Sequence, residues 1–447
     1  MKLAVLGGGG FRVPLVYQAL LRLGDGVGLD EIVLQDPEAG RLARIRSLIA
    51  GLDQRSERRI PVRVTTSPED ALDGAAFVFC AIRVGGLAAR AIDEAVPLSE
   101  GVLGQETVGP GGICFALRTV PVVLDLAHTV ARYAPDAWFL NFTNPAGLVT
   151  EALIGVLGDR VIGICDSPSA LCRRVAARLG RRPEDLWFDY FGLNHLGWLR
   201  SARDEHGDAL PGLLADDERL GPLEEARVFG SPYLRNLGMI PNEYLAYYEF
   251  TDRIRDALAA APRAELLLEQ QRTFYDAAMD TPDEALAAWN EAKRARHHSY
   301  MSEARDESSS EETWEGDPEE DEAGYASVAA RLMRAIALNT WEILILDVAN
   351  RSSLPFLDET AVVEVPCVVG ASGAVPVSIG PVPERQRAMI ERLKEIDRLT
   401  IRAAVEGSAK LALEALAAHP VVPSREAAEK ILAGYLGRHR GLQERLR

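Results

Sequence analysis

Cationic residues are in short supply in this 447-residue chain: 49 Lys and Arg stand against 66 Asp and Glu, for a net charge of −17. A nucleic-acid-binding surface needs a basic patch, so that class of function is set aside. Much of the excess is local, because the segment 303–322 carries eleven acidic residues and one basic one, Arg305. Such a run repels itself and stays wet, and it is expected to form a solvated loop. Long apolar runs are also missing. No stretch of roughly 18 uninterrupted apolar residues marks a membrane span. The opening MKLAVLGGGG is too short an apolar run for a secretory leader and serves better as a strand. Cysteine is scarce: Cys80, Cys114, Cys165, Cys172 and Cys367 are odd in number and widely spaced. They make no disulfide framework, and a reduced, cytoplasmic chain is the expectation.

What is present is a large apolar fraction, 47% of residues, in a chain long enough for two domains. The first half alternates short apolar runs with helical segments. KLAVLG (2–7), EIVLQD (31–36), VRVTTS (62–67), AAFVFCAI (75–82), AWFLNFT (137–143) and RVIGICD (160–166) read as strands, and PLVYQALLRL (14–23) reads as a helix opened by proline. Continuous apolar strands between helices predict a Rossmann-type, doubly wound parallel sheet, whose ligands sit at the carboxyl ends of the strands. The second half predicts a mixed α+β, mostly helical domain. Helical patterns run through about 214–300 and 323–350, a β-rich piece occupies 360–380, and helices return from 384. The expected division is residues 1–166 for cofactor binding and 167–447 for catalysis, substrate and oligomerisation.

Gly7, Gly8, Gly9 and Gly10 follow the first strand and precede the first helix. Glycines there let the backbone approach a pyrophosphate, which the helix N-terminus favours electrostatically. The pattern departs from G-x-G-x-x-G, since Phe11 and Arg12 follow Gly10 and Arg12 takes the third-glycine position. Asp36, at the end of the second strand, is placed to bind ribose hydroxyls, and its charge would repel a 2′-phosphate, so NAD is expected rather than NADP.

Several further blocks put polar residues at strand ends: GQETVGPGG (104–112), NFTNPAG (141–147), ICDSP (164–168), FGLNHLGW (191–198) and PNEYLAYYEF (241–250). In the last, Tyr244, Tyr247 and Tyr248 share one face if the segment is helical. In order and spacing these blocks resemble glycoside hydrolase family 4, most nearly its 6-phospho-β-glucosidases. The resemblance continues more weakly through PRAELLLEQQ (262–271) and SSLPFLDETAVVEVP (352–366).

The resemblance implies that Cys165 and His195 ligate a divalent metal, usually manganese, and that Tyr244 is the catalytic base, with Tyr247 and Tyr248 one turn away. It implies redox-neutral cleavage of a phosphorylated sugar: oxidation by NAD, proton abstraction, elimination, addition of water and reduction. Arg263 resembles the arginine that holds the sugar phosphate, and Arg83 is a second candidate. Asn141, Asn144 and Asn194 are candidate substrate contacts. Asp166 is either the acid that assists departure of the aglycone or a hydroxyl-binding group. A homo-oligomer is expected by the same resemblance. Two other readings stand beside it: an NAD-dependent dehydrogenase of a hydroxy or sugar acid, and a relative that senses NAD or sugar without turnover.

Overall fold

The computed structural model describes residues 1–277, 281–299, 301–305 and 324–447. Most of the acidic segment, 306–322, lies outside the described residues.

Six parallel strands form the centre: β1 (Lys2–Leu6), β2 (Glu31–Gln35), β3 (Val62–Thr65), β4 (Phe77–Cys80), β5 (Trp138–Asn141) and β6 (Val161–Gly163). Their spatial order is β6-β5-β4-β1-β2-β3, the doubly wound arrangement whose switch point lies between β1 and β4. In-register pairs such as Leu6 with Gln35 and Leu6 with Cys80 line up the strand ends there. Fully buried runs, such as Leu3–Leu6 and Phe77–Cys80, show why these strands read as continuous apolar stretches.

The second half contributes a hairpin of β7 (Trp187–Leu193) and β8 (Leu196–Asp204), extended by β9 (Gly207–Asp208) and β10 (Ile240–Pro241). It also extends the central sheet: β11 (Glu342–Ala349), β12 (Val362–Gly370) and β13 (Gly373–Pro376) continue it antiparallel beyond β6. The helix expected through 350 therefore ends early. Helix Gly324–Leu338 stops before Asn339 and Trp341, both at positive φ, and EILILDVA becomes a sheet strand. A short apolar run does not distinguish a buried strand from a helix by periodicity alone, and here the free edge of β6 decides.

Helix Pro110–Tyr133 is long and apolar enough to cross a membrane by length and composition. In this fold it is a core helix, burying Ile113, Phe115, Leu117, Val120 and Val123 against helices Gly86–Ser99, Ala146–Leu157 and Glu384–Glu406.

Candidate active site

The glycine turn is built as the strand order requires. Gly7 has φ +83°, and a Cβ on it would lie 2.7 Å from the Ala81 carbonyl oxygen, so only glycine fits. The amides of Gly7 and Gly8 both donate to the Gln35 carbonyl, at 2.9 and 2.7 Å. The Gly9 amide donates to Asp36 Oδ2 at 3.2 Å, and the Glu38 amide donates to Oδ1 at 3.0 Å. Helix Val13–Arg22 starts after Arg12 with no side chain capping its first amides. The Val13 amide donates to the Gly10 carbonyl and the Leu15 amide to the Arg12 carbonyl, both at 3.1 Å, so what suits the pyrophosphate of a dinucleotide is the positive end of the helix beside a cradle that a Cβ would fill.

Residues from the second half close over this turn. The Tyr275 hydroxyl donates to the Gly9 carbonyl at 2.7 Å, with the Arg41 guanidinium 4.4 Å above the Tyr275 ring. Trp289 Nε1 donates to the Phe11 carbonyl at 2.9 Å, and Phe274 meets the Phe11 ring edge-on at 5.3 Å. Nothing local in the sequence connects these aromatics to a turn more than 250 residues earlier.

Gly10, Phe11 and Arg12 open into a cleft that also takes Arg83, Asn144, Cys165, Asp166, His195, Tyr244 and Arg263 from the strand ends and the second half. Two of the expected substrate contacts are elsewhere. Asn141 is fully buried and donates to the Thr143 and Ala146 carbonyls and to Thr150 Oγ1, while its own oxygen accepts from the Thr143 amide. It shapes the strand end, with both of its amide hydrogens directed to these neighbours and its side chain away from the cleft lining. Asn194 donates to Glu364 Oε1 at 3.2 Å and lines a second, smaller cavity behind His195.

His195 sits in the turn of the β7–β8 hairpin at φ +62°, uncommon for a non-glycine residue. Its ring stacks on Tyr244, with centroids 3.7 Å apart and planes 6° from parallel. Burial brings its pKa down to about 4, so the ring is a neutral imidazole at pH 7, as a metal ligand must be. Burial raises the Cys165 thiol, and Glu364, Asp166 and Asp347 add to the rise. A thiol pressed by carboxylates, beside a neutral imidazole, is a donor pair that a divalent cation would satisfy electrostatically.

The three tyrosines do not share a face. Glu243–Leu245 is a short 3-10 turn capped by Asn242, and helix Ala246–Glu249 lasts one turn. Tyr244 and Tyr247 line the cleft, whereas Tyr248 stacks on His419 at 6.0 Å in the second cavity. The Tyr247 hydroxyl is taken by Glu303 at 2.7 Å, while that of Tyr244 makes no hydrogen bond among the described residues. Burial, with Asp166 and Glu106, raises the Tyr244 phenol above its ordinary range.

The cleft is rich in arginine. Arg12 lies 3.5 Å from Asp166, Arg90 bonds Glu94 at 2.6 Å and Glu106 at 2.7 Å, Arg83 pairs with Glu106, and Arg263 stands 3.7 Å from Glu303. Burial opposes ionisation of Glu106, but Arg83 and Arg90 hold its carboxyl well below the usual range. Arg296, from helix Pro282–His298, has no carboxylate in ion-pair contact among the described residues. Burial and the neighbouring Arg12, Arg90 and Arg263 bring its pKa down to about 9. Sequence reasoning missed Arg296 because it lies in a helix without any motif.

One other group of ligand-type side chains converges among the described residues: Asp93, Cys114 and His439. Arg118 already fills it, bonding both Asp93 oxygens at 2.6 and 2.5 Å and Cys114 Sγ at 3.2 Å, so the group is a buried ion-pair cluster.

Comparison with known proteins accords with this geometry. The profile described as Family 4 glycosyl hydrolase matches residues 2–181, and that of the Family 4 glycosyl hydrolase C-terminal domain matches 190–422. The chain is 31% identical to maltose-6'-phosphate glucosidase of Bacillus subtilis over 449 residues, covering 96% of this chain and 94% of that protein. The 6-phospho-beta-glucosidase of Thermotoga maritima, solved with manganese, NAD+ and glucose-6-phosphate, superposes with a TM-score of 0.82 at 27% identity, covering 99% of both chains. A 6-phospho-alpha-glucosidase from gut microorganisms, in complex with NAD and Mn2+, gives 0.83 at 25% identity, covering 100% of this chain and 99% of that one.

Proposed function

The chain belongs to glycosyl hydrolase family 4, and on that premise we propose that it hydrolyses glycosidic bonds of 6-phosphorylated glucosides by the redox-neutral route. NAD and a divalent metal, manganese in solved relatives, are its cofactors. The observation that carries this reading is the stacked His195–Tyr244 pair, which shares one cleft with Cys165, the glycine turn and Arg296.

Bound, the two groups supply a reversible hydride acceptor and a positive charge that polarises a sugar carbonyl and offsets the forces raising the Tyr244 phenol. Cys165 and His195 would hold the metal, and the turn Gly7–Arg12 with Asp36 would hold the dinucleotide. Tyr244, whose hydroxyl makes no hydrogen bond among the described residues, takes the proton from the sugar carbon beside the oxidised position. Asp166 assists the aglycone or orients a hydroxyl, and its pairing with Arg12 links it to the cofactor turn. Arg296, Arg263 and Arg83 face the phosphate, and Asn144 the sugar.

The same reading makes the protein a cytoplasmic homo-oligomer. Leu338, Trp341 and Ile343, between helix Gly324–Leu338 and β11, and Val375 on edge strand β13 are exposed apolar residues of the kind a subunit contact covers.

Release of 4-nitrophenol from the α- and β-linked nitrophenyl glucoside 6-phosphates tests the proposal, with NAD, manganese and a thiol reductant each present or omitted. Both anomers are offered because both occur among the relatives. Release that needs NAD and metal, without net NADH, is expected. Steady NADH formation from sugar acids would instead favour a dehydrogenase, and binding of NAD and metal without any release would favour a sensor.

A further inference from the structure

We propose that Thr107 is a positioning residue that fixes the tautomer and ring flip of His195, and thereby sets how tightly this chain holds its divalent metal. The inference rests on the reading of His195 as a ligand, given above.

Gln105 Oε1 accepts the Thr107 amide at 2.6 Å and the Val108 amide at 2.7 Å. Two N–H donors on one atom identify it as the amide oxygen rather than the nitrogen. Thr107 Oγ1 lies 3.2 Å from that oxygen, which can only accept, so both Thr107 side-chain contacts are hydrogen bonds at once only when the hydroxyl hydrogen points to Gln105. Oγ1 is then left to accept, and its other neighbour is His195 Nδ1 at 2.9 Å. In that arrangement Nδ1 carries the hydrogen. In a neutral ring the lone pair therefore falls to Nε2, which makes no hydrogen bond among the described residues and belongs to a side chain lining the cleft.

The Tyr244 stack cannot do this alone. Stacking at 3.7 Å holds the plane of the imidazole but is kept by either ring flip, since the half-turn about Cβ–Cγ exchanges Nδ1 with Cδ2 and Nε2 with Cε1 and leaves the plane unchanged. The Thr107 bond removes that freedom. Two contacts from one glutamine oxygen hold Thr107 in turn and a third holds the Val108 amide, which gives Gln105 of the glycine-rich loop a stated task. Outer partners of metal-bound histidines raise ligand basicity and pre-pay orientation, and their loss typically weakens metal binding about 10- to 100-fold.

The test measures Mn2+ affinity by electron paramagnetic resonance on the full chain with NAD bound, so that it does not depend on turnover. Thr107→Val keeps the shape and removes the acceptor; it is expected to bind Mn2+ about 10- to 100-fold more weakly. Thr107→Ser restores the acceptor and with it the wild-type affinity, while NAD affinity and Tm stay level across the set. Wild-type Mn2+ affinity in Thr107→Val would overturn the proposal. His195→Ala separates the two layers: undiminished Mn2+ binding there would mean that His195 is no ligand, whatever Thr107 does. Should Thr107→Val fold poorly, the 15N shifts of His195 in the wild-type, metal-free protein decide, since a protonated Nε2 with a bare Nδ1 is the opposite of what the geometry requires.

Discussion

The imidazole of His195 and the phenol of Tyr244 lie face to face, 3.7 Å between centroids and 6° from parallel. Each ring comes from a different short element: the β7–β8 turn presents one, the 3-10 turn Glu243–Leu245 the other. A proposed metal ligand and a proposed base are thereby held as one unit, so that charge placed on the histidine is felt at the phenol.

Tyr244→Phe keeps the stack and removes the proton acceptor. The expected outcome is a fall in kcat of about 10²- to 10⁴-fold, the usual worth of a general base, with NAD affinity unchanged. Tyr247→Phe, whose hydroxyl serves Glu303, should lose far less. Rates of nitrophenol release from the two variants check the assignment, and the reverse ranking would move the base to Tyr247.

Arg296 has no carboxylate in ion-pair contact among the described residues, and it lines the cleft where an incoming dianion would bind. A charge-assisted hydrogen bond is worth about 1.5–3 kcal/mol, so Arg296→Gln should raise KM for the phosphorylated substrate about 10- to 100-fold. Arg263, already close to Glu303, should show a smaller effect on removal. Competitive inhibition by inorganic phosphate, weakened in the Arg296 variant and unchanged for NAD, would localise the effect.

Chelation should abolish activity of the wild type, and added manganese should restore it. Cys165→Ser exchanges a soft ligand for a hard, neutral one and should not be rescued at the same manganese concentration, though it still binds NAD. Rescue equal to wild type would remove Cys165 from the site.

His419 is 3% exposed, and its pKa falls to about 3 through burial, with Arg392 adding to the drop. A folded-state pKa below the unfolded value means that unfolding takes up a proton between about pH 6.5 and pH 3. The stability from keeping this ring neutral is full above about pH 6.5 and is lost as pH falls through that window. His419→Phe preserves the stack on Tyr248 and removes the titration. Its Tm, followed by calorimetry from pH 7.5 to 4.5, should fall less steeply than that of the wild type; parallel curves would refute the assignment.

Much of this protein was legible along the chain. The glycine turn, Asp36 and the strand-end blocks carrying Cys165 and His195 are local patterns: a tight turn demands glycine, and a doubly wound sheet delivers polar residues to its carboxyl edge. Other parts were not. The segment Glu342–Ala349 reads equally as strand or helix until the edge of β6 is there to receive it. Tyr248 parts from Tyr244 because the chain makes a 3-10 turn and one helical turn where a longer helix was expected. Asn141 stands in the right motif, yet its amide is consumed by its own strand end.

The sequence by itself determined the cofactor turn and the residue types that chemistry needs, because backbone conformation and ligand chemistry depend on near neighbours. Only the tertiary structure decided which arginines and tyrosines line the cleft, which of them are paired among the described residues, and which aromatics close over Gly9 and Phe11. Those are outcomes of burial and charge pairing between elements far apart in the chain, and no local pattern encodes them.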